Sequence, residues 1–564
     1  MGKVRIKRVL GLAVALAVAS PVGFVDSVSA SRGDKEDVGG SSNDVNPQPA
    51  SRMKQGGTMR YVQVTLCPQF NTNTAGGNAL DCSTPLGSVL PTFVYFDGNG
   101  QMKFNKDYVT DVKVSRVKGK QTVTYSMNPL AKWSDGKSVG LEDFVGMWRA
   151  NNGSDPAYKP ISKTGYEKIE SIVKGKNAND IVVTYKETYP DWQPLFALLK
   201  PASLTKDAAT FNTGWPNGPS VSAGPFMFDS IDTVTKTITL KRNPKWWGDK
   251  PYLNSIVFKH LPQAAQIDAL LNGEIDNMDV SIDANAVARA RADKGKKVKL
   301  AFAKAPTHEH LTFGPPTAVT SDVAVRRAIM MSINRQTIAE AIQGPIIGKK
   351  NAKPNNNKFF LEGLYCNQDN MGIYGKHNVK LAAQTLERAG WTLGSDGIRS
   401  KNGVRLSVKL KYPSGNDARR DAVLLSAAMA KEAGIELVPT LVPSAEYFVS
   451  HITQPPNFEL AIFAWVGTSF PISASGNVYR SDSLQNFSRI GSQEIDNLIL
   501  RANSVLNLGL RCKLANEADK KLYELGHSIT LYQRPGAIAR NVKLANFGAF
   551  GYTSIDWTKV GFTK

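Results

Sequence analysis

Histidine is scarce in this chain, acidic residues are outnumbered, and the familiar catalytic signatures are missing. Six histidines among 564 residues leave few groups for general-base or metal chemistry. There is no Cys-x-x-Cys pair, which removes the common zinc frameworks. No Gly-x-Ser-x-Gly elbow occurs; Gly467-Thr468-Ser469-Phe470-Pro471 comes nearest and lacks the closing glycine. Gly344 and Gly348-Lys349-Lys350 have neither the spacing nor the hydroxyl of a phosphate-binding loop. His308-Glu309-His310 puts two imidazoles on one face of a strand, but no third ligand stands at a suitable spacing. It reads as a half-exposed pair. Catalysis, a bound metal and a resident cofactor are therefore not expected. Beyond residue 30 no apolar run is long enough to span a bilayer.

What the chain has in excess is positive charge. Lysine and arginine total 69 against 48 acids, a net +21. Such a charge favours polyanions. No compact basic motif accompanies it, so nucleic acid is not an expected partner. The basic run from Arg289 to Lys304 reads as a solvated helix face and edge. Bases up to Arg8, apolar Val9 to Ala19, then Pro21 and Val28-Ser29-Ala30 form a secretory signal over residues 1–30. No cysteine precedes Cys67, so no lipid-attachment cysteine stands near the cleavage site. The expected location is periplasmic, extracellular or cell-surface associated. In an exported chain four cysteines imply two disulfides, with three possible connectivities. Cys67–Cys82 with Cys366–Cys512 is the preferred pairing. Residues 31–57 are rich in Ser, Asp, Gly, Asn and Pro and read as a disordered linker.

Hydrophobic periodicity then predicts alternating strands and helices. Phe226, Phe228 and Ile231, followed by Ile238 and Leu240, give two alternating runs joined by a polar turn, a β-hairpin. Leu141, Phe144, Val145 and Trp148 form a helical stripe after the Asp135-Gly136 turn. Asp322 and Asn334 are placed to cap successive helices, the second ending at Gly344. Leu460 and Ile462 alternate as a buried strand that opens into a Ser-, Gly- and Pro-rich loop, with Trp465 and Phe470 flanking Thr468 and Ser469. Mixed aromatic and hydroxyl groups at a strand end suit ligand capture.

Several of these stretches, in order, resemble the extracytoplasmic solute-binding proteins of peptide ABC importers, bacterial family 5, with its oligopeptide, dipeptide and nickel types. They are Trp133-Ser134-Asp135-Gly136-Lys137 before a helix, Gly224-Pro225-Phe226 leading to Leu240-Lys241-Arg242-Asn243-Pro244 and Trp246-Trp247, and Leu270 to Asp276. Val325 to Ile329 followed by Ile333 to Ile338, and the Leu381 to Trp391 helix with its glycine stop, complete the series. The likeness departs at Val139-Gly140, where the family usually has Thr-Ala, and at Asn334, where it usually has Asp.

The resemblance implies an α/β, two-lobed periplasmic-binding-protein-like fold with an extra domain (cluster C type). Lobe I would comprise 58–92, 225–304 and 535–564, the extra domain 93–224, and lobe II 305–534, with hinge crossings near Ala305 and Pro535. It implies a monomer with no stable membrane span in the mature chain, which closes on a short peptide and docks on a permease powered by an ATPase. Trp465 would line the cleft with Thr468, Ser469 and Phe470, and Tyr158 would contact ligand. An aspartate three residues after that Trp commonly anchors a peptide's α-amino group; here Thr468 offers a hydroxyl without countercharge. Glu446 and Asp482 are possible substitutes. The alternatives are a binder of a metal chelate or other small solute, a basic surface-adhesive protein, and an exported hydrolase.

Overall fold

The structure, a computed structural model, describes residues 43–63, 67–98, 100–453 and 456–564. The expected signal, residues 1–30, lies outside the described residues.

Two large sheets organise the molecule. The first has seven strands in the spatial order Val298–Phe302, Ala537–Asn541, Asn277–Asp279, Thr58–Gln63, Ser255–His260, Thr237–Arg242 and Phe226–Asp232. Thr58–Gln63 runs parallel to both of its neighbours, and the other pairs are antiparallel. The second has five strands in the order Glu436–Val442, Ser407–Pro413, Leu460–Val466, Thr307–Phe313 and Ser528–Gln533. The chain passes between the two sheets twice, at 303–306 and at 534–536. These passages lie side by side: Ala303 N–H donates to Gly536 O (3.1 Å), Ala305 N–H to Arg534 O (3.3 Å), and Arg534 N–H to Thr307 O (2.8 Å). The result is a two-lobed α/β fold on two short crossings, an arrangement suited to hinge motion.

A four-stranded antiparallel sheet, Val109–Val117, Lys120–Met127, Asp180–Tyr185 and Ile169–Lys174, is inserted between the Thr58 and Phe226 strands. Its core is continuous with that of the seven-stranded sheet: Val123, Tyr125, Phe144 and Phe196 share one cluster with Met59, Leu240 and Phe258. The predicted hairpin helps join them. Ile238 faces Ile231 and Leu240 faces Phe228, and Trp246 and Trp247 pack against Tyr108 of the insertion at 5.9 and 5.6 Å. Burial of so much aromatic surface on both sides of the junction favours a fixed insertion.

Local signals account for much of the helical structure. Asp322 accepts from Ala324 N–H and starts Val323–Ser332; Asn334 accepts from Thr337 N–H and starts Arg335–Ile347. That second helix passes the expected stop at Gly344 because Ile346 and Ile347 are buried, and it ends at Gly348, whose φ of 80° favours glycine. The cysteines pair as Cys67–Cys82 and Cys366–Cys512, with Cα separations of 5.4 and 5.8 Å.

The expected linker is ordered over its described part. Asp44 exchanges both main-chain hydrogen bonds with Ala549, and Met53–Lys54 pairs antiparallel with the Gly561–Thr563 strand. Asn46 Nδ2 donates to Leu544 O, and Asn546 Oδ1 accepts from Gln48 N–H. A polar, Pro-rich segment with no core of its own is held by backbone partners distant in sequence, which composition cannot reveal. Among the described residues no helix is long and apolar enough to cross a membrane.

Candidate functional site

The strand Leu460–Val466 lies antiparallel to Thr307–Phe313, so that Trp465 faces His308 across the ladder and Phe463 faces His310. Aromatic neighbours fix the indole. It stacks on Phe487 at 5.7 Å (18°), meets Phe463 edge-on at 5.6 Å, and lies nearly parallel to His310 at 6.2 Å. Trp465 itself stays half-buried. Beyond it the chain turns at Gly467, whose N–H donates to Pro306 O of the first crossing. Thr468 is exposed, and its Oγ1 accepts from Phe470 N–H at 3.1 Å. Phe470 meets Phe96 edge-on at 5.8 Å. Gly100 closes against Ser469 and Leu364: a Cβ there would stand 3.6 Å from Ser469 Oγ and 3.4 Å from Leu364 Cδ2. The loop is thus bracketed by the first crossing, by Phe96 and Gly100, and by Leu361 and Leu364.

Glu362, two residues before Leu364, lines a cavity of about 340 Å³ between the crossings and the five-stranded lobe. Its wall is rich in carboxamides, with Gln343, Asn355, Asn356, Gln368 and Gln533 beside Lys304, Lys353, Arg534 and Asp369. Carboxamides offer a donor and an acceptor each, and the charges are of both signs. Several of these groups also bond within the protein: Asn355 with Asn357, Asn356 with Arg335 and Asp369, and Gln533 with the main chain of Ala305 and Glu362. Lys304 and Glu362 form an ion pair at 2.8 Å. Arg534 binds Glu309, which is fully buried and also bonded by Arg419 at 3.2 and 3.3 Å. Burial alone would raise the Glu309 carboxyl, but the two guanidinium groups outweigh it and hold it at about 2. Asp279 also lies near enough to favour the Arg534 cation, so the two arginines face two carboxylates.

The predicted site residues separate into two groups. Trp465, Thr468, Ser469 and Phe470 lie on one loop. Tyr158 does not join them: it is buried against Phe211 and Ala150 in the insertion, and its hydroxyl donates to Thr205 O at 3.1 Å. A tyrosine whose hydroxyl is already bonded inside a core is a packing residue. The suggested substitutes for the absent aspartate are Asp482 and Glu446. Asp482 pairs with Arg480 at 2.5 Å, and Glu446 is exposed on the short helix Ser444–Glu446. The His308/His310 pair is fully buried rather than half-exposed, with His310 Nδ1 bonded to Thr312 Oγ1 at 2.7 Å. Among the described residues no three or more His, Cys, Asp or Glu side chains gather as a metal site. The loop expected beyond Phe470 is instead the helix Pro471–Tyr479.

The cavity wall was not foreseen. Its one sequence trace is the run Asn355-Asn356-Asn357, and Asn357 in fact turns inward to bond Asn516 and the main chain. Asp191 was missed as well. It approaches the helix after the loop from the insertion, a contact spanning nearly three hundred residues with no local signature.

Comparison with known proteins agrees with this geometry. The family described as bacterial extracellular solute-binding proteins, family 5 Middle, matches residues 110–486. Oligopeptide-binding protein OppA of Mycobacterium tuberculosis is 33% identical over 535 residues, covering 94% of this chain and 89% of that protein. Among solved structures, the periplasmic EDTA-binding protein EppA superposes with a TM-score of 0.84 at 22% identity, over 93% of this chain and 98% of that one. AppA of Bacillus subtilis, solved with a nonapeptide, superposes at 0.77 and 20% identity, over 91% and 100%. Those two likenesses speak for the fold. The family match spans well over half of the sequence and the relationship to OppA nearly all of it, so this chain belongs to family 5 of the bacterial extracellular solute-binding proteins.

Proposed function

We propose that this protein captures short peptides between its two lobes and delivers them to an ATPase-powered membrane permease. The observation that carries the reading is the 33% identity to an oligopeptide-binding protein over 94% of the chain. The amide-rich cavity beside the crossings supports it, because carboxamides can pair with peptide groups whatever the side chains are. In this reading lobe I is 58–92, 225–304 and 535–564, the extra domain is 93–224 and lobe II is 305–534. Trp465, Thr468, Ser469 and Phe470 form one wall of the ligand site. The chain is exported, acts as a monomer and turns over no substrate of its own.

A second reading, a binder of a metal chelate or other small solute, is favoured by Thr468 in the aspartate's place. Mass spectrometry of the ligand released from protein produced in rich medium separates the two. Peptides of a narrow length range are expected. Recovery of a chelate, or protein that ignores peptide libraries in thermal-shift assays, would overturn the peptide reading.

A further inference from the structure

The helix Pro471–Tyr479 follows directly on the Trp465 loop and begins without a cap of its own. Phe470 occupies the capping position and carries no acceptor, and Pro471 has no N–H. The N–H of Ser473 is satisfied from elsewhere: it donates to Asp191 Oδ2 at 3.2 Å. Asp191 belongs to the insertion, whereas the helix belongs to the five-stranded lobe. The other carboxylate oxygen lies 2.6 Å from Arg511 Nη2, and both side chains are less than a tenth exposed. Arg511 precedes Cys512, whose disulfide to Cys366 holds the segment that carries Leu361 and Leu364 against the loop. Farther along the helix, Asn477 Oδ1 accepts from the hydroxyls of Ser162 and Thr164, again from the insertion, at 3.2 and 2.6 Å.

We propose that Asp191 is a positioning residue: it caps the Pro471–Tyr479 helix from the insertion, so that the Thr468–Phe470 loop keeps its shape only while the insertion rests on the five-stranded lobe. A carboxylate is the right group for the task. It accepts from the helix N-terminus, complements the positive end of the helix dipole, and neutralises the buried Arg511. Closure of the lobes and order in the loop thereby become one event. The role rests on the peptide reading only in treating that loop as a ligand wall.

Hydrogen exchange on the full-length protein as purified from rich medium, with the ligand it retains, tests the proposal. In Asp191→Ala, amides of the Pro471–Tyr479 helix should exchange at least about fivefold faster, while the Val323–Ser332 helix is unchanged. Asp191→Asn keeps an acceptor and should restore part of the protection. The double variant Asp191→Ala/Arg511→Ala leaves no buried charge unpaired and should show the same local acceleration, which guards against simple misfolding. Unchanged protection of the Pro471 helix in the double variant, or equal acceleration of both helices, overturns the proposal. A synthetic pentapeptide library, read by thermal shift on the same proteins, should show weaker binding by Asp191→Ala than by wild type. Wild-type protein that ignores the library would remove the peptide reading and leave the exchange result to decide the role of Asp191.

Discussion

Buried titratable side chains in the five-stranded lobe should make its stability depend on acidity. Burial pushes His308 down to about 4 and His527 down to about 3, and the nearby Lys358 cation adds to both shifts. Burial also holds His310 well below its ordinary value, with His308 adding to the effect. All three imidazoles are neutral in the native protein at neutral pH, whereas in the unfolded chain they take protons near about 6.5. The unfolded state therefore binds more protons below that value, and stability falls as pH drops. Each histidine contributes up to about 1.4 kcal/mol per pH unit. The loss ends near pH 4 for His308 and near pH 3 for His527. Glu309 adds a later loss: its carboxyl is depressed to about 2, so its contribution is intact above its unfolded value near about 4.5 and disappears towards 2. Urea midpoints should fall steeply between about pH 6 and 4. His308→Gln should flatten that fall. A midpoint that does not move across the interval would show that these imidazoles are hydrated and charged in the native state.

At the scale of single elements, the legible parts were those whose cause is local. Asp322 and Asn334 cap the helices that immediately follow them, and the Phe226–Arg242 hairpin pairs Ile238 with Ile231 as alternation demands. The Pro471–Tyr479 helix has no local signature, because Ser473, Ser475 and Gly476 are weak helix formers and its cap comes from Asp191, far away in sequence. Tyr158 shows the same limit. A family pattern suggested the residue, but the packing of Phe211 and the carbonyl of Thr205 decide where its ring and hydroxyl go. Tyr158→Phe should cost about 1 kcal/mol of stability, the worth of one buried hydrogen bond, in denaturant titration. Ligand affinity should stay within about twofold. A tenfold or greater loss of binding without a change in stability would return Tyr158 to the cleft.

At the scale of the whole molecule, the motif order was enough to place the chain in its family and to anticipate two lobes, while the contacts between distant segments were not legible. Residues 43–54 illustrate the limit, because their partners are Leu544, Ala549 and the Gly561–Thr563 strand. The seven-stranded sheet has the same character. Its second strand, Ala537–Asn541, sits between Val298–Phe302 and Asn277–Asp279, so an interior position is filled by a segment far downstream of both neighbours. The strands of the five-stranded sheet all lie within residues 307–533. Assembly should therefore run against the order of synthesis, since closing the longer loops is slower. In pulse-labelled refolding, amides of Leu460–Val466 should gain protection before those of Thr58–Gln63; simultaneous protection would sink the idea. Until Ala537–Asn541 docks, the strands on either side of it present open edges. A newly exported chain thus passes through an interval in which one lobe is finished and the other is adhesive, and shielding of that gap by chaperones would set its yield more than its final stability does.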